Sequence, residues 1–487
     1  NDCAMCIIAP KLVECGRHPN IRILTLASVV DISGRAGDFS VRVHESPRYV
    51  DVNKCIACGQ CSRSCPKSVD DPFNSNIAKR KAIYIKYPQA VPLKYQIDPE
   101  ACLRLNQPGA CGLCAEICPP GAIRFDEIAR EHEIRVGAVV MALGFRVFDP
   151  GPARIWGYGV HPNVITSLQF ERYLSPGGPT EGRLLRPSDG RPVRRVAFLQ
   201  CVGSRDKNRC NNEYCSSVCC MYAIKEAMSA KEADPEVEVV IFYMDMRTHG
   251  KEFDRYLERA RDAYGVRFVR SRVHGVEPAG GGDLRLRSIS SRGRQVEETY
   301  DLVVLSVGLE TPDSMVRLAE RIGIHMTPDR FASISAFMPV HTSKRGVFTC
   351  GAFNGPRDIP QSVIGGSAAA ASVAALLAPV RHTRTVPVPP PAEQDVRDRE
   401  PRIGVFICHC GTNIAGVVDV EEVAAYAATL PQVVHVERNL FTCAQDTQDR
   451  MVQQIRERGL NRIVVAACTP RTHEPLFRKT LKSAGIN

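Results

Sequence analysis

The chain has 487 residues, 44% of them hydrophobic and 24% charged, a length that exceeds one core and fits about three soluble domains. A formal net charge of +10 would suit an acidic partner, but the basic residues are scattered and lack interleaved aromatics, which argues against nucleic acid. The 21 cysteines follow no secretory signal, so they read as reduced thiolate ligands in a cytosolic, anaerobic setting and exclude a disulfide framework.

Residues 1–50 open with Cys3-Ala-Met-Cys6, and the sequence starts within a pattern, as a piece of a longer chain would. Cys3 and Cys6 suit a redox dithiol beside a flavin, extra metal ligands or packed thiols. A helical pattern runs from Ala9 to Arg17. Strand-like runs follow at Ile21–Leu26 and Phe39–Val43, and turn residues between them predict an antiparallel pair.

Residues 51–128 carry the densest pattern: Cys55, Cys58, Cys61 and Cys65-Pro66, then Cys102, then Cys111, Cys114 and Cys118-Pro119. Three thiolates at C-x2-C-x2-C spacing can be aimed at one 4Fe-4S cube by one tight loop, while the cysteine before proline serves the other cube. The spacing assigns Cys55, Cys58, Cys61 and Cys118 to one cluster. It assigns Cys65, Cys102, Cys111 and Cys114 to a second, with residues 103–110 lengthening the first gap into a loop. Zinc ribbons also use paired C-x2-C motifs, but eight cysteines in two such registers favour iron–sulfur.

Residues 129–378 read as an α/β core. Arg135–Gly144 and Tyr300–Gly308 each predict a buried strand ending in glycine, the place where backbone approaches a dinucleotide; two unrelated strands of an α/β protein would look alike. Between them Arg194–Gln200 predicts a strand followed by Cys201, with Cys210, and then Cys215, Cys219 and Cys220 opening a helix. The order continues with strand Val237–Met244, a helix over Lys251–Ala263 and strand Val266–Arg270. This is the βαβ order of a nucleotide-binding domain, with thiols where phosphate-cradling glycines would stand. A strand ends at Cys350-Gly351, and Asp358, Pro360 and Gln361 mark a helix N-terminus that would meet an anionic group such as a reduced flavin. Cys15 and Cys350 read as packed thiols. The apolar run Ser367–Ala378 is too short and alanine-rich to span a bilayer, so no membrane span is expected.

Residues 379–400 are rich in proline and charge and read as a linker with few contacts. Residues 401–487 read as a small α/β domain whose strands Ile403–Ile407, Val433–Val436 and Arg462–Ala466 alternate with helices. Cys408, Cys410, Cys443 and Cys468 follow those strands, so a parallel sheet would gather them at one edge as a metal site. His409 and His473 compete as ligands. Four cubes with about two negative charges each would bring the net charge to roughly +2.

The stretches NDCAMCIIAPKLVE, LQCVGSRD, YCSSVCCMYAIKEA, GVFTCGAFNGPRDIP, FICHCGTNIAGVVDV and VVAACTPRTHEPLF, with the two-cluster segment, resemble the A-type subunit of heterodisulfide reductase. The resemblance implies a thioredoxin-reductase-like core that uses FAD, carries an inserted ferredoxin domain and holds a cluster where NADPH would sit. It implies Cys201, Cys215, Cys219 and Cys220 as that cluster's ligands, with Cys210 left over. Gly144, Gly308, Gly351, Asp358, Pro360 and Gln361 fall at the expected cofactor edges. The last domain resembles the family's amino-terminal domain, which suggests a piece of a tandem protein. Four 4Fe-4S clusters and FAD would relay, or bifurcate, electrons among B- and C-like reductase subunits, a hydrogenase or other donor subunit, and ferredoxin; a cytoplasmic homodimer is the implied setting. Two other readings stand beside it: an NAD(P)H-dependent iron–sulfur flavin oxidoreductase, and a non-catalytic iron–sulfur scaffold.

Overall fold

The structure, a computed structural model, describes residues 2–175, 177–387, 389, 391–410 and 412–486. A helix α1 (Asp2–Arg17) leads into an antiparallel pair, β1 (Ala27–Arg35) and β2 (Asp38–Glu45). The side chains of Cys3 and Cys6 lie outside the described residues. The strand expected at 21–26 forms later in the chain. Leu26 has φ 55°, which breaks the extended run and delays pairing until Ala27 meets Glu45.

The iron–sulfur segment hangs between two neighbouring strands. β3 (Arg130–Val136) pairs antiparallel with β2, and Glu45 faces Arg130 across the ladder. The neck is closed by Glu127, whose Oε2 accepts from Tyr49 N at 2.6 Å and Arg48 N at 3.1 Å.

The sequence reads Arg135–Gly144 as one buried strand, and here the structure differs. The run splits at Gly137-Ala138: β3 belongs to the antiparallel sheet, whereas β4 (Val139–Met141) pairs in parallel with a strand at Val347–Thr349. A Cβ on Gly137 would lie 2.6 Å from Leu377 Cδ2, so glycine lets the chain turn from one sheet to the other beneath that side chain. Only Met141 of β4 is buried.

The central sheet has five parallel strands: β5 (Val164–Thr166), β6 (Arg195–Val202), β7 (Glu238–Tyr243), β8 (Arg267–Arg270) and β9 (Leu302–Val307), in the order β5-β9-β6-β7-β8. Every residue of β9 is buried, as a central parallel strand covered on both faces requires. Helix α2 (Cys219–Ala233) lays Ala223, Ile224, Ala227 and Met228 on one face of it. Phe170 and Phe198 meet edge to face there at 5.2 Å, worth about 0.5–1.5 kcal/mol beyond their buried area.

Helix α3 (Ile359–Leu376) starts two residues after Arg357 and has 18 residues, making it the one helix among the described residues long and apolar enough to cross a membrane. That corrects the shorter run read from sequence. Its packed side sets Ala369 against Val340, Phe348 and Cys350.

The last domain has strands β10 (Ile403–Cys408), β11 (Val433–Asn439) and β12 (Arg462–Ala466) in the parallel order β11-β10-β12, with helices α4 (Val420–Thr429), α5 (Gln445–Glu457) and α6 (Pro470–Ala484). The segment before it makes more contacts than a free linker would. Val396 packs into the domain's core, Gln394 N donates to Gly485 O at 2.8 Å, and Val386 N donates to Asn20 Oδ1 at 2.7 Å. A β-branched valine among the charges supplies the apolar anchor that composition alone obscures.

Candidate metal and flavin sites

Two voids in the inserted module separate the eight cysteines. One is lined by Cys55, Cys58, Cys61 and Cys118, the other by Cys65, Cys102, Cys111 and Cys114. The first loop closes tightly because Ala57 (φ 57°) and Gly59 (φ 80°) take left-handed conformations. Lys94 Nζ fixes the loop through Cys55 O at 2.6 Å, and Ala122 N donates to Cys118 Sγ at 3.3 Å. Burial, with Cys55, Cys114 and Cys118 close by, pushes the Cys61 thiol up to about 12; burial and Cys102, Cys65 and Cys111 push Cys114 to about 11. Four crowded thiols suit a cation at their centre, which would hold them as thiolates. Among the described residues no three His, Cys, Asp or Glu side chains gather at single-ion spacing.

The third set lies at the carboxyl edge of the central sheet. Cys201 has φ 63° and makes a bulge in β6, where the pairing with β9 shifts register between Leu199 and Val202. That bulge turns Cys201 toward the loop and helix start that carry Cys215, Cys219 and Cys220. Burial pushes Cys201 up to about 11, with Cys220 and Cys215 adding to it. Cys219 is pushed higher, by burial first and then by the other three thiols of the set. Cys210 stands apart, packed in the apolar cluster beneath the sheet. Sequence reading missed the cationic frame: Arg205 lies against Cys201, Arg247 N donates to Cys220 Sγ at 3.4 Å, and both guanidiniums pair with Asp245. Arg205 sits in the quoted LQCVGSRD stretch, but Arg247 carries no local signal.

The fourth set is gathered in part. Cys410 hydrogen bonds to both Cys408 and Cys468, holding the first down at about 6 and the second at about 7. Thr442 N also donates to Cys408 Sγ at 3.5 Å. Cys443, the next residue, is buried beside Ala9, Val13 and Leu476. His409 is exposed; His473 is buried, bonded to Thr472 at 2.6 Å and stacked on Phe477, which is a packing role.

The residues expected at a cofactor divide into two groups. A Cβ on Gly308 would lie 2.4 Å from Ser204 Oγ and 2.6 Å from Ser216 Oγ, so this glycine admits the chain's own cysteine-bearing loop on that side. Asp358 and Gln361 form a capping box at the start of α3: Gln361 N donates to Asp358 Oδ1 at 2.8 Å and Asp358 N to Gln361 Oε1 at 3.2 Å. Their side chains are spent on the helix, whose terminus they shape. Gly144 (φ 72°) has open space on its Cβ side, and Gly351 (φ 70°) has only Ser362 Oγ, at 3.9 Å. Of the expected residues, Asp358 and Pro360 border a cavity of about 910 Å³, together with Phe145, Ser217, Val218 and Val307. Arg357, on its wall, has a buried Nε with no hydrogen-bond partner among the described residues, a donor suited to an anionic ring or phosphate.

A family model described as a 4Fe-4S dicluster domain matches residues 54–122. The A-type subunit of the H(2):CoB-CoM heterodisulfide,ferredoxin reductase of Methanothermobacter thermautotrophicus is 41% identical over 376 residues, 77% of this chain and 56% of that protein. The second A-type iron-sulfur subunit of the CoB--CoM heterodisulfide reductase of Methanopyrus kandleri is 46% identical over 382 residues, 78% and 57% respectively. The chain therefore spans a little over half the length of these curated relatives. Thioredoxin reductase from T. acidophilum overlays 51% of this chain and 68% of its own at 14% identity, with a TM-score of 0.33 that carries no argument.

Proposed function

Since the chain belongs, over the region it shares with them, to the family of A-type heterodisulfide reductase subunits, we propose that it is the flavin and iron–sulfur electron-transfer part of such a reductase. Four 4Fe-4S clusters are held by Cys55, Cys58, Cys61 and Cys118; by Cys65, Cys102, Cys111 and Cys114; by Cys201, Cys215, Cys219 and Cys220; and by Cys408, Cys410, Cys443 and Cys468. FAD lies beside the cavity at the start of α3, with Arg357, Gly144 and Pro360 at its edge. When bound, the flavin would exchange electron pairs with a substrate and single electrons with iron. The chain's own residues do the rest: Arg205 and Arg247 offset the negative charge of the third set, while Val218, Val307 and Phe145 give apolar surface to the cavity between it and α3.

The observation that carries this reading is the gathering of four cysteines at the edge of a parallel sheet where a dinucleotide phosphate would otherwise meet glycines and a helix N-terminus. The same crevice cannot take both, which makes the protein a relay fed by partner proteins and not a nicotinamide enzyme. Those partners are B- and C-like reductase subunits, a hydrogenase or other donor subunit, and ferredoxin, in the cytoplasm.

Anaerobically prepared protein is expected to hold about sixteen iron atoms per chain. In a full-length protein, Cys219→Ser should remove one cluster signal and keep the module's pair, and NADPH alone should not bleach the flavin. Iron near eight, or rapid bleaching by NADPH without a partner, defeats the proposal.

A further inference from the structure

The C-terminal domain could have docked by any part of its surface. It presents the loop that carries Cys443, and it meets the inserted module on the side that carries Cys55, Cys58 and Cys61. Cys443 is buried in one apolar cluster with Phe441 from its own loop and Val91 from the module. Four residues after Val91, Tyr95 lines the void bordered by Cys55, Cys58, Cys61 and Cys118. Between them Lys94 donates to Cys55 O at 2.6 Å. Tyr95 also shares a cleft with Leu440, Phe441 and Ala444 of the C-terminal loop.

From these contacts we infer that the strap 91–95 couples the first thiol set of the module to the thiol set of the C-terminal domain, making one internal electron path from two sites in separate domains. The inference rests on both sets holding iron–sulfur clusters, as proposed above. Four peptide steps reach at most about 14 Å, so the backbone from Val91 to Tyr95 bounds the separation of the two contacts. Tyr95 and Phe441 face the cleft that lies between the two loops, and Val91 packs with Phe441 beside Cys443. The transfer moves one electron: iron held by one set is oxidised by one, iron held by the other is reduced by one, and no bond or proton changes place.

The test uses the anaerobically loaded full chain, partly reduced with dithionite, in pulsed electron paramagnetic resonance with iron counted on each sample. Cys443→Ser first assigns the C-terminal signal, by its loss together with roughly a quarter of the iron. An unchanged iron count with every signal retained overturns the C-terminal site, and the path with it. In the unmodified chain a dipolar interaction between the assigned signal and that of the first set is expected; two resolved signals without it overturn the path and leave both clusters standing. Phe441→Ala should keep the iron and slow the redistribution of a limiting electron between the two signals severalfold in freeze-quench samples. Equal rise times in the two proteins overturn the path.

Discussion

Gly308 shows how one missing atom can decide what occupies a crevice. With Ser204 Oγ and Ser216 Oγ already 2.5 Å from each other, a Cβ at position 308 has nowhere to go. Gly308→Ala should cost about 1–3 kcal/mol in a denaturant titration and splay the 201–216 loop, weakening the third cluster's signal before the module's pair. Glu226 on α2 is only 4% exposed, its Oε2 has no hydrogen-bond partner among the described residues, and burial raises its pKa well above 4.5. Between the unfolded and folded pKa values folding takes up a proton, so this group makes stability fall as pH rises through that window. Glu226→Gln should therefore raise stability by about 1–3 kcal/mol at pH 8 and change it little near pH 4, as thermal midpoints at the two values would show. At this scale the module's cysteine sets were legible because ligand spacing is a local property. The third set needed the family resemblance, since the strained φ of Cys201 and the approach of Arg247 are products of tertiary structure.

At the scale of elements, sequence reading succeeded where a segment has one environment and failed where the chain changes partners. Residues 302–307 are buried throughout and were legible as such; residues 135–144 serve two sheets, and an apolar run conceals the break at Gly137. The start of helix α3 was legible because it is written in the capping residues. Those residues also make its energetics testable. Asp358→Ala removes the side-chain acceptor for Gln361 N and should cost about 1 kcal/mol in chemical denaturation, whereas Asp358→Asn, which keeps an acceptor, should cost only a few tenths. Equal losses would mean that the carboxylate acts by charge and not as a cap.

For the whole molecule, the contacts between domains did not follow composition. A proline-rich stretch suggests a C-terminal domain on a loose tether. Instead Arg17 of α1 pairs with Asp449, Ala9 and Val13 pack beside Leu476, and Asn20 holds Val386. Such long-range pairing leaves no periodic trace in either partner. Trypsin should cut at the exposed Arg381 or Arg384, and the two fragments should still elute together in gel filtration at moderate salt and separate only under denaturing conditions. Fragments that part at once would mean that those contacts do not hold. The inserted module also touches the core, where Arg172 Nε donates to Asn74 Oδ1 at 2.9 Å, but its covalent connection to the host sheet is simple. Its chain leaves after Glu45 and returns at Arg130, residues that face each other on adjacent strands, so everything between is in effect the tip of a hairpin. The module is thus a graft with a single scar. Its presence costs the host sheet little more than the entropy of closing a loop, which grows only logarithmically with what the loop contains. Gain, loss or exchange of such a unit in the course of descent would leave the register of β1, β2 and β3 untouched, and the wiring of the protein could change without redesign of its frame.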